Sequence, residues 1–168
     1  MVKRAHRLNE LADFIEKLPE HKFNISQWCE PDHTCKTSAC IAGWAVLNYT
    51  EEGKTYLEKM YDAGRRMSEV MNDESYNAYW SAYYKQPQWH VLGMDVLDLT
   101  ESEAYLIFQP DSRFWGIPDD DGDGDGEFRE SRDVTNVEAA NLLRWVASHP
   151  ENAIIGMKYS DIFEPEMV

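Results

Sequence analysis

Two short stretches of this 168-residue chain hold residues whose types and spacing can do chemistry. In the first, Asp119, Asp121, Asp123, Gly124 and Glu130 satisfy the calcium-loop pattern D-x-D-x-D-G-x5-E. That chemistry needs closely spaced hard oxygen donors, a glycine at the sharp turn, and a distal carboxylate able to bind through both oxygens. Two features depart from the pattern. The eighth position, usually a branched apolar residue, is Gly126, and Arg113 to Pro118 reads as an irregular entry instead of a helix. A second register starts at Asp121 and uses Asp123, Asp125, Gly126 and the apolar Phe128, but its twelfth position is Arg132. The loop is therefore a candidate calcium site through Asp119, Asp121, Asp123, Asp125 and Glu130, with a solvated acidic turn as the alternative.

The second stretch is Cys29 to Asn48, which packs all three cysteines and one histidine into its first twelve residues. Cys29, His33, Cys35 and Cys40 give the spacing C-x3-H-x-C-x4-C, enough ligands for a closed tetrahedral zinc site. The spacing is not one of the common paired C-x2-C knuckles. Cys35 or Cys40 could instead be a nucleophile, its thiol acidified by a helix N-terminus, with His6, His21, His33, His90 and His149 as candidate bases. Cys40 could equally be a small buried hydrophobe. A Cys35–Cys40 disulfide requires an oxidising compartment, and the odd cysteine count favours reduced thiols in a cytoplasm. The chain carries no G-x-S-x-G, phosphate loop, dinucleotide fingerprint or H-E-x-x-H, so no enzymatic constellation assembles from motif alone.

Helices must position these residues. Leu8, Leu11, Phe14, Ile15 and Leu18 recur at helical spacing over residues 4–18, and Pro19 stops the run. Thr37 or Ser38 is a candidate N-cap for Ala39–Leu47, which is apolar all round and therefore reads as a buried central helix. Gly43 within it predicts a close backbone approach. Thr55 with Glu58, Thr100 with Glu103 and Thr135 with Glu138 each match the capping box, predicting three more helix starts. Tyr76, Tyr79, Trp80, Tyr83 and Tyr84 share helical spacing, with Asp73 as a cap. Aromatics so spaced usually belong to a core, the alternative being a protein or carbohydrate contact face. Ala153–Phe163 should dock back onto the domain. The expected fold is one all-α domain over residues 1–168, with five to seven helices around a buried central helix and an acidic insertion at about 118–133.

The formal net charge is -15, and its distribution is uneven. Residues 1–50 carry six acids and six bases, 51–118 twelve and six, 119–133 eight and two, and 134–168 five and two. The entire excess thus lies beyond residue 50. Such a surface repels phosphates, which argues against direct nucleic-acid binding, and suits a basic protein partner or a cation. No run approaches the ~20 apolar residues of a membrane span, and MVKRAHRLNELADF has no apolar signal region.

Three motifs resemble those of a family of small, functionally uncharacterised bacteriophage and bacterial proteins. CKTSACIAGWA at 35–45 is similar to its C-G-T-x-x-C-x-A-G-W-A signature, LDLTESEAYLIFQP at 97–110 to its L-G-L-T-x-x-E-A-x-x-L-F-x-P motif, and DVTNVEAANLLRWVA at 133–147 to its closing helix. The opening helix and FNISQW also look similar, so the resemblance covers most of the chain outside 51–90 and 111–132. Lys36 departs from the family's usual glycine, and the aspartate loop looks like an insertion. The resemblance implies that Cys35, Cys40, Gly43 and Trp44 belong to a shared structural centre, but it brings no activity with it. The leading expectation is a non-enzymatic, cytoplasmic accessory protein of phage type. It would bind a host or phage protein through its acidic surface, for instance to inhibit a nucleic-acid-processing or defence protein. A calcium-binding structural module and a zinc or thiol site are the alternatives.

Overall fold

Ile41–Tyr49 (α2) turns a single polar residue, Asn48, to water, and the chain covers the rest from several directions. A computed structural model describes residues 2–25, 39–108 and 134–163. In chain order the remaining elements are α1 (Val2–Glu16), a 3-10 turn at Glu20–Lys22, α3 (Glu51–Glu69), α4 (Asp73–Tyr83), α5 (Trp89–Leu97), α6 (Glu101–Phe108), α7 (Asn136–Ser148) and α8 (Tyr159–Phe163). The all-α expectation holds. Among the described residues the β-type pairing is limited to an isolated bridge between Phe23 and Ala39. The described residues hold eight α-helices, one more than the expected upper number.

Six of the nine residues of α2 are buried, and α1, α3, α5 and α6 all pack on it. Two glycines let neighbouring backbones come close. A Cβ added to Gly53 of α3 would sit 2.5 Å from the Val46 carbonyl oxygen, and one added to Gly93 of α5 would meet the Ala42 Cβ at 3.1 Å. The main apolar cluster joins Leu8, Leu11 and Ile15 of α1, Ile41 and Ala45 of α2, Ile107 and Phe108 of α6, and Leu142 and Leu143 of α7. A smaller cluster unites Val46 and Leu47 with Tyr56 and Met60 of α3 and Trp89 of α5.

Several helix starts fall where the sequence places them. Thr100 and Glu103 satisfy each other's backbone amides at 3.0 and 3.3 Å, and Thr135 and Glu138 do so at 2.8 and 3.2 Å. The Thr55–Glu58 pair is different: it lies inside α3, whose true cap is Thr50. The Thr50 hydroxyl donates to the Val46 carbonyl at 2.8 Å and accepts from the Gly53 amide at 3.0 Å, closing α2 and opening α3 with one side chain. Likewise Asn72, not Asp73, caps α4 through a reciprocal box with Ser75. Cys40, not Thr37 or Ser38, stands at the N-cap of α2. Ile154 is buried, and Ile162 and Phe163 pack against the main cluster, so the tail does dock on the domain.

A buried ion pair fastens α1 to α6. Arg4 of α1 and Glu103 of α6 meet at 2.7 Å with side chains 5% and 1% exposed. The Glu103 carboxylate accepts four N–H bonds: two from the Arg4 guanidinium at 2.7 and 3.1 Å, and one each from the Thr100 and Asn152 amides at 3.0 and 2.8 Å. Burial alone would raise the Glu103 pKa, but the Arg4 guanidinium and the two amides outweigh it and hold the carboxyl below its ordinary 4.5. Because the folded value is depressed, this stabilisation is complete above pH 4.5 and is lost as pH falls through the folded value. Glu103→Gln leaves Arg4 buried without a counter-charge, at a cost of about 3–5 kcal/mol. Urea titrations at pH 7 and pH ~3.5 should show that loss at neutral pH and a flatter acid dependence in the variant than in the parent.

Candidate interaction surface

The four-ligand zinc set is described only at Cys40; Cys29, His33 and Cys35 lie outside the described residues, as do the calcium candidates Asp119, Asp121, Asp123, Asp125 and Glu130. Among the described residues no group of three or more His, Cys, Asp or Glu side chains is arranged to hold a metal ion. Cys40 does stand at a helix N-terminus, and the Gly43 amide donates to its Sγ at 3.5 Å. The side chain is buried, however, and burial pushes the thiol up to about 11 against the acidifying effect of the nearby amides. This corrects the expectation of an acidified nucleophile at Cys40. Desolvation of a thiolate outweighs the contacts of the nearby amides, so the group is a neutral, packed thiol. Of the candidate bases, His6 faces Glu10 at 3.4 Å, His149 stacks on Trp145 at 3.8 Å, and His90 packs edge-on to Phe108 at 5.6 Å.

The acidic half of the chain offers a more informative surface. From Trp89 to Phe108, α5 and α6 carry Asp95, Asp98, Glu101 and Glu103, and no Lys or Arg. Arg4 neutralises Glu103 in the interior, which leaves three exposed carboxylates at this corner. On α3 the charges are balanced locally. Arg65 and Arg66 both pair with Asp62 at 2.8 Å, and Lys54 pairs with Glu51 at 3.1 Å.

Helix α4 is the element the sequence misplaces most. It packs on α3 and contributes no buried residue. Tyr79, Ala82 and Tyr83 touch the smaller apolar cluster, and that side accounts for the core-like spacing. Tyr76, Trp80 and Tyr84 face outward, 53%, 36% and 75% exposed. Trp80 is the centre of an aromatic group, with ring centroids 6.1 Å from Tyr76, 5.6 Å from Tyr79, 5.4 Å from Tyr83 and 6.0 Å from Tyr84. Between α3 and α4 runs a groove of about 570 Å³ whose walls include Lys59, Asp62, Arg66, Glu74, Ala78 and Lys85. The core reading of the aromatic spacing therefore holds for Tyr79 and Tyr83 and is corrected for Tyr76, Trp80 and Tyr84, which are exposed. Such an exposed face could have been suspected from the apolar residues lying on both sides of the α4 wheel.

Comparison of the chain with protein-family models, curated proteins and solved structures finds no match. No helix among the described residues is long and apolar enough to cross a membrane.

The state of Cys40 is open to direct measurement. In a Cys29→Ser, Cys35→Ser variant it is the sole remaining thiol. At pH 8 a thiol with pKa near 11 is about one part in a thousand thiolate, so a thiol-reactive dye should label the native protein at least about a hundredfold more slowly than the unfolded chain. Equal rates would refute the packed, neutral assignment.

Proposed function

We propose that this chain is a non-enzymatic accessory protein of phage type that binds a basic protein partner through its acidic surface. The observation that carries the reading is the -15 net charge, all of whose excess lies beyond residue 50. The described part supports it with exposed carboxylates at Asp73, Glu74, Asp95, Asp98, Glu101 and Glu151. A dense acidic surface steers a basic partner toward it and rejects phosphate-bearing polymers. One concrete form is the inhibition of a nucleic-acid-processing or defence protein, with carboxylates occupying the place of nucleic-acid phosphates. The resemblance of residues 35–45, 97–110 and 133–147 to phage and bacterial proteins supplies the setting, a bacterial cytoplasm.

The test is affinity capture from a bacterial lysate, followed by a salt titration with the purified partner. Exposed carboxylates are screened over a Debye length of about 8–10 Å at physiological salt. The dissociation constant should therefore rise about tenfold or more between 50 and 300 mM salt, roughly. Affinity independent of salt overturns the reading.

A second reading rests on the D-x-D-x-D-G-x5-E match at Asp119–Glu130. Here calcium would be held by Asp119, Asp121, Asp123, Asp125 and Glu130 as a structural ion ordering an acidic segment. Calorimetry should then show heat on calcium addition and a raised melting temperature, both abolished by Asp121→Ala. A silent titration would remove this reading and leave the first untouched.

A further inference from the structure

Helix α4 divides its aromatics between two sides: Tyr79 and Tyr83 turn to the smaller apolar cluster, and Tyr76, Trp80 and Tyr84 turn away from it. The stripe that points away carries Asp73, Tyr76, Trp80 and Tyr84 at positions i, i+3, i+7 and i+11, which lie within about 80° of one another on a helical wheel. Ring contacts of 6.1 and 6.0 Å link Tyr76, Trp80 and Tyr84 into one continuous ladder. Val70 and Met71, both exposed, extend the apolar surface at its N-terminal end. Tyrosine and tryptophan are the residues on which binding energy concentrates at protein interfaces. Exposed apolar ladders rimmed by polar groups mark such interfaces.

Charge identifies the occupant. Asp73 and Glu74 lie at the N-terminal end of the ladder with no ion pair to another described residue, Glu69 beside them is paired with Arg65 at 3.7 Å, and Lys85 follows Tyr84 at the other end, so the acidic grip belongs to the N-terminal end. Aromatic faces attract cations through their quadrupoles, and arginine both stacks on such rings and bonds a carboxylate with its planar fork. A second copy of this chain would bring another -15 charges to the same face, which like-charge repulsion opposes. We propose that the outward stripe Asp73–Tyr76–Trp80–Tyr84 of α4 is the docking site for an arginine-bearing basic segment of a partner protein. This rests on the acidic-surface reading and adds to it the anchor and the residue type that it grips. One arginine of the partner lies on the Trp80 ring and a second, about two turns toward the N-terminus, pairs with the Asp73 carboxylate, while apolar side chains of the partner cover Tyr84 at one end and Met71 at the other.

The test uses fluorescence anisotropy with a labelled peptide of about twelve residues, built from glycine, leucine and about four arginines, beside a lysine twin and a glutamate twin. The protein should bind the arginine peptide, the lysine peptide more weakly, and the glutamate peptide not at all. Trp80→Ala should weaken binding about tenfold or more, Asp73→Asn and Tyr84→Ser by smaller factors, with melting temperatures close to the parent's. Asp95→Asn with Glu101→Gln, at the α5–α6 corner, removes two charges of the same acidic surface away from the stripe and should weaken binding by a smaller factor than Trp80→Ala does. Salt-sensitive binding that ignores Trp80→Ala but falls in the corner variant overturns the stripe while leaving the acidic-surface reading standing. Binding that depends on Trp80 yet ignores salt and peptide charge overturns both. No binding by the arginine peptide overturns the stripe. So does self-association abolished by Trp80→Ala in light scattering, or competition by an oligosaccharide in place of the peptide; either names a different occupant.

Discussion

Arg4 and Glu103 place two opposite charges in the interior, and the way α1, the α5–α6 corner and the turn after α7 meet depends on them. Removing such ions from water costs several kcal/mol apiece, and attraction alone does not reliably offset this. What makes the pair tolerable is saturation: the carboxylate accepts four N–H donors, and the guanidinium also donates to the Asp98 carbonyl at 3.3 Å. These partners come from α1, from the α5–α6 corner and from the turn after α7. Both positive-φ non-glycine residues among those described, Asp98 and Asn152, sit at this junction. Their left-handed backbones are held by the bonds that Asp98 accepts and Asn152 donates. One helical turn along α1, Arg7 donates to the Val96 carbonyl at 2.6 Å. Two cations of α1 thereby satisfy the C-terminal carbonyls of α5, where the helix macrodipole is negative.

The second constraint is steric. A nine-residue helix that turns only Asn48 to water has to be enclosed elsewhere, and full-sized side chains on every neighbour would hold the other backbones at ordinary interhelical distances. Gly53 and Gly93 remove that spacing where α3 and α5 cross α2. On the far side, Asn136 of α7 turns its amide to the Ile15, Glu16 and Leu18 carbonyls at 3.4, 3.2 and 2.9 Å, so the C-terminus of α1 is capped by another helix. Arg144 adds bonds of 2.7 Å to Asp13 and to Glu16 on the surface of the same pair. Its guanidinium lowers both carboxyl pKa values, though exposed pairs of this kind contribute little. Core and surface therefore agree on where α7 lies.

What could be read from the sequence was what is satisfied locally. The Thr100–Glu103 and Thr135–Glu138 boxes close within four residues, so pattern and structure coincide. The Thr55–Glu58 pair has the same spacing inside a helix, where pattern alone cannot distinguish a cap from a turn. Thr50, five residues earlier, takes the cap because it also closes α2. Helix α5 escaped notice because Gln88 makes no side-chain cap and its C-terminus is a left-handed aspartate where glycine would be the usual signal. The Arg4–Glu103 pair spans 99 residues and leaves no local trace. At Cys40 the residue type and the helix start were legible, but the burial that sets its protonation is a property of the packed molecule. The remaining calcium and zinc candidates fall outside the described residues.

Helix α4 shows the same limit from the other side. Periodicity specifies a helix but not which face is covered when both sides of the wheel are apolar. Tyr79, Ala82 and Tyr83 take the inward side, where α3 and the smaller cluster can receive them. Tyr76, Trp80 and Tyr84 remain outside, each forgoing part of the about 1.5–3 kcal/mol that full burial of a large side chain contributes. Nothing in the packing of α2, or in the Arg4–Glu103 junction, calls for aromatics at these positions; lysine or glutamate there would serve the helix as well and its solubility better. The core is thus complete without the stripe. The large rings along α4 are therefore not a requirement of this core, and under the proposed reading they are the face that a basic partner would cover.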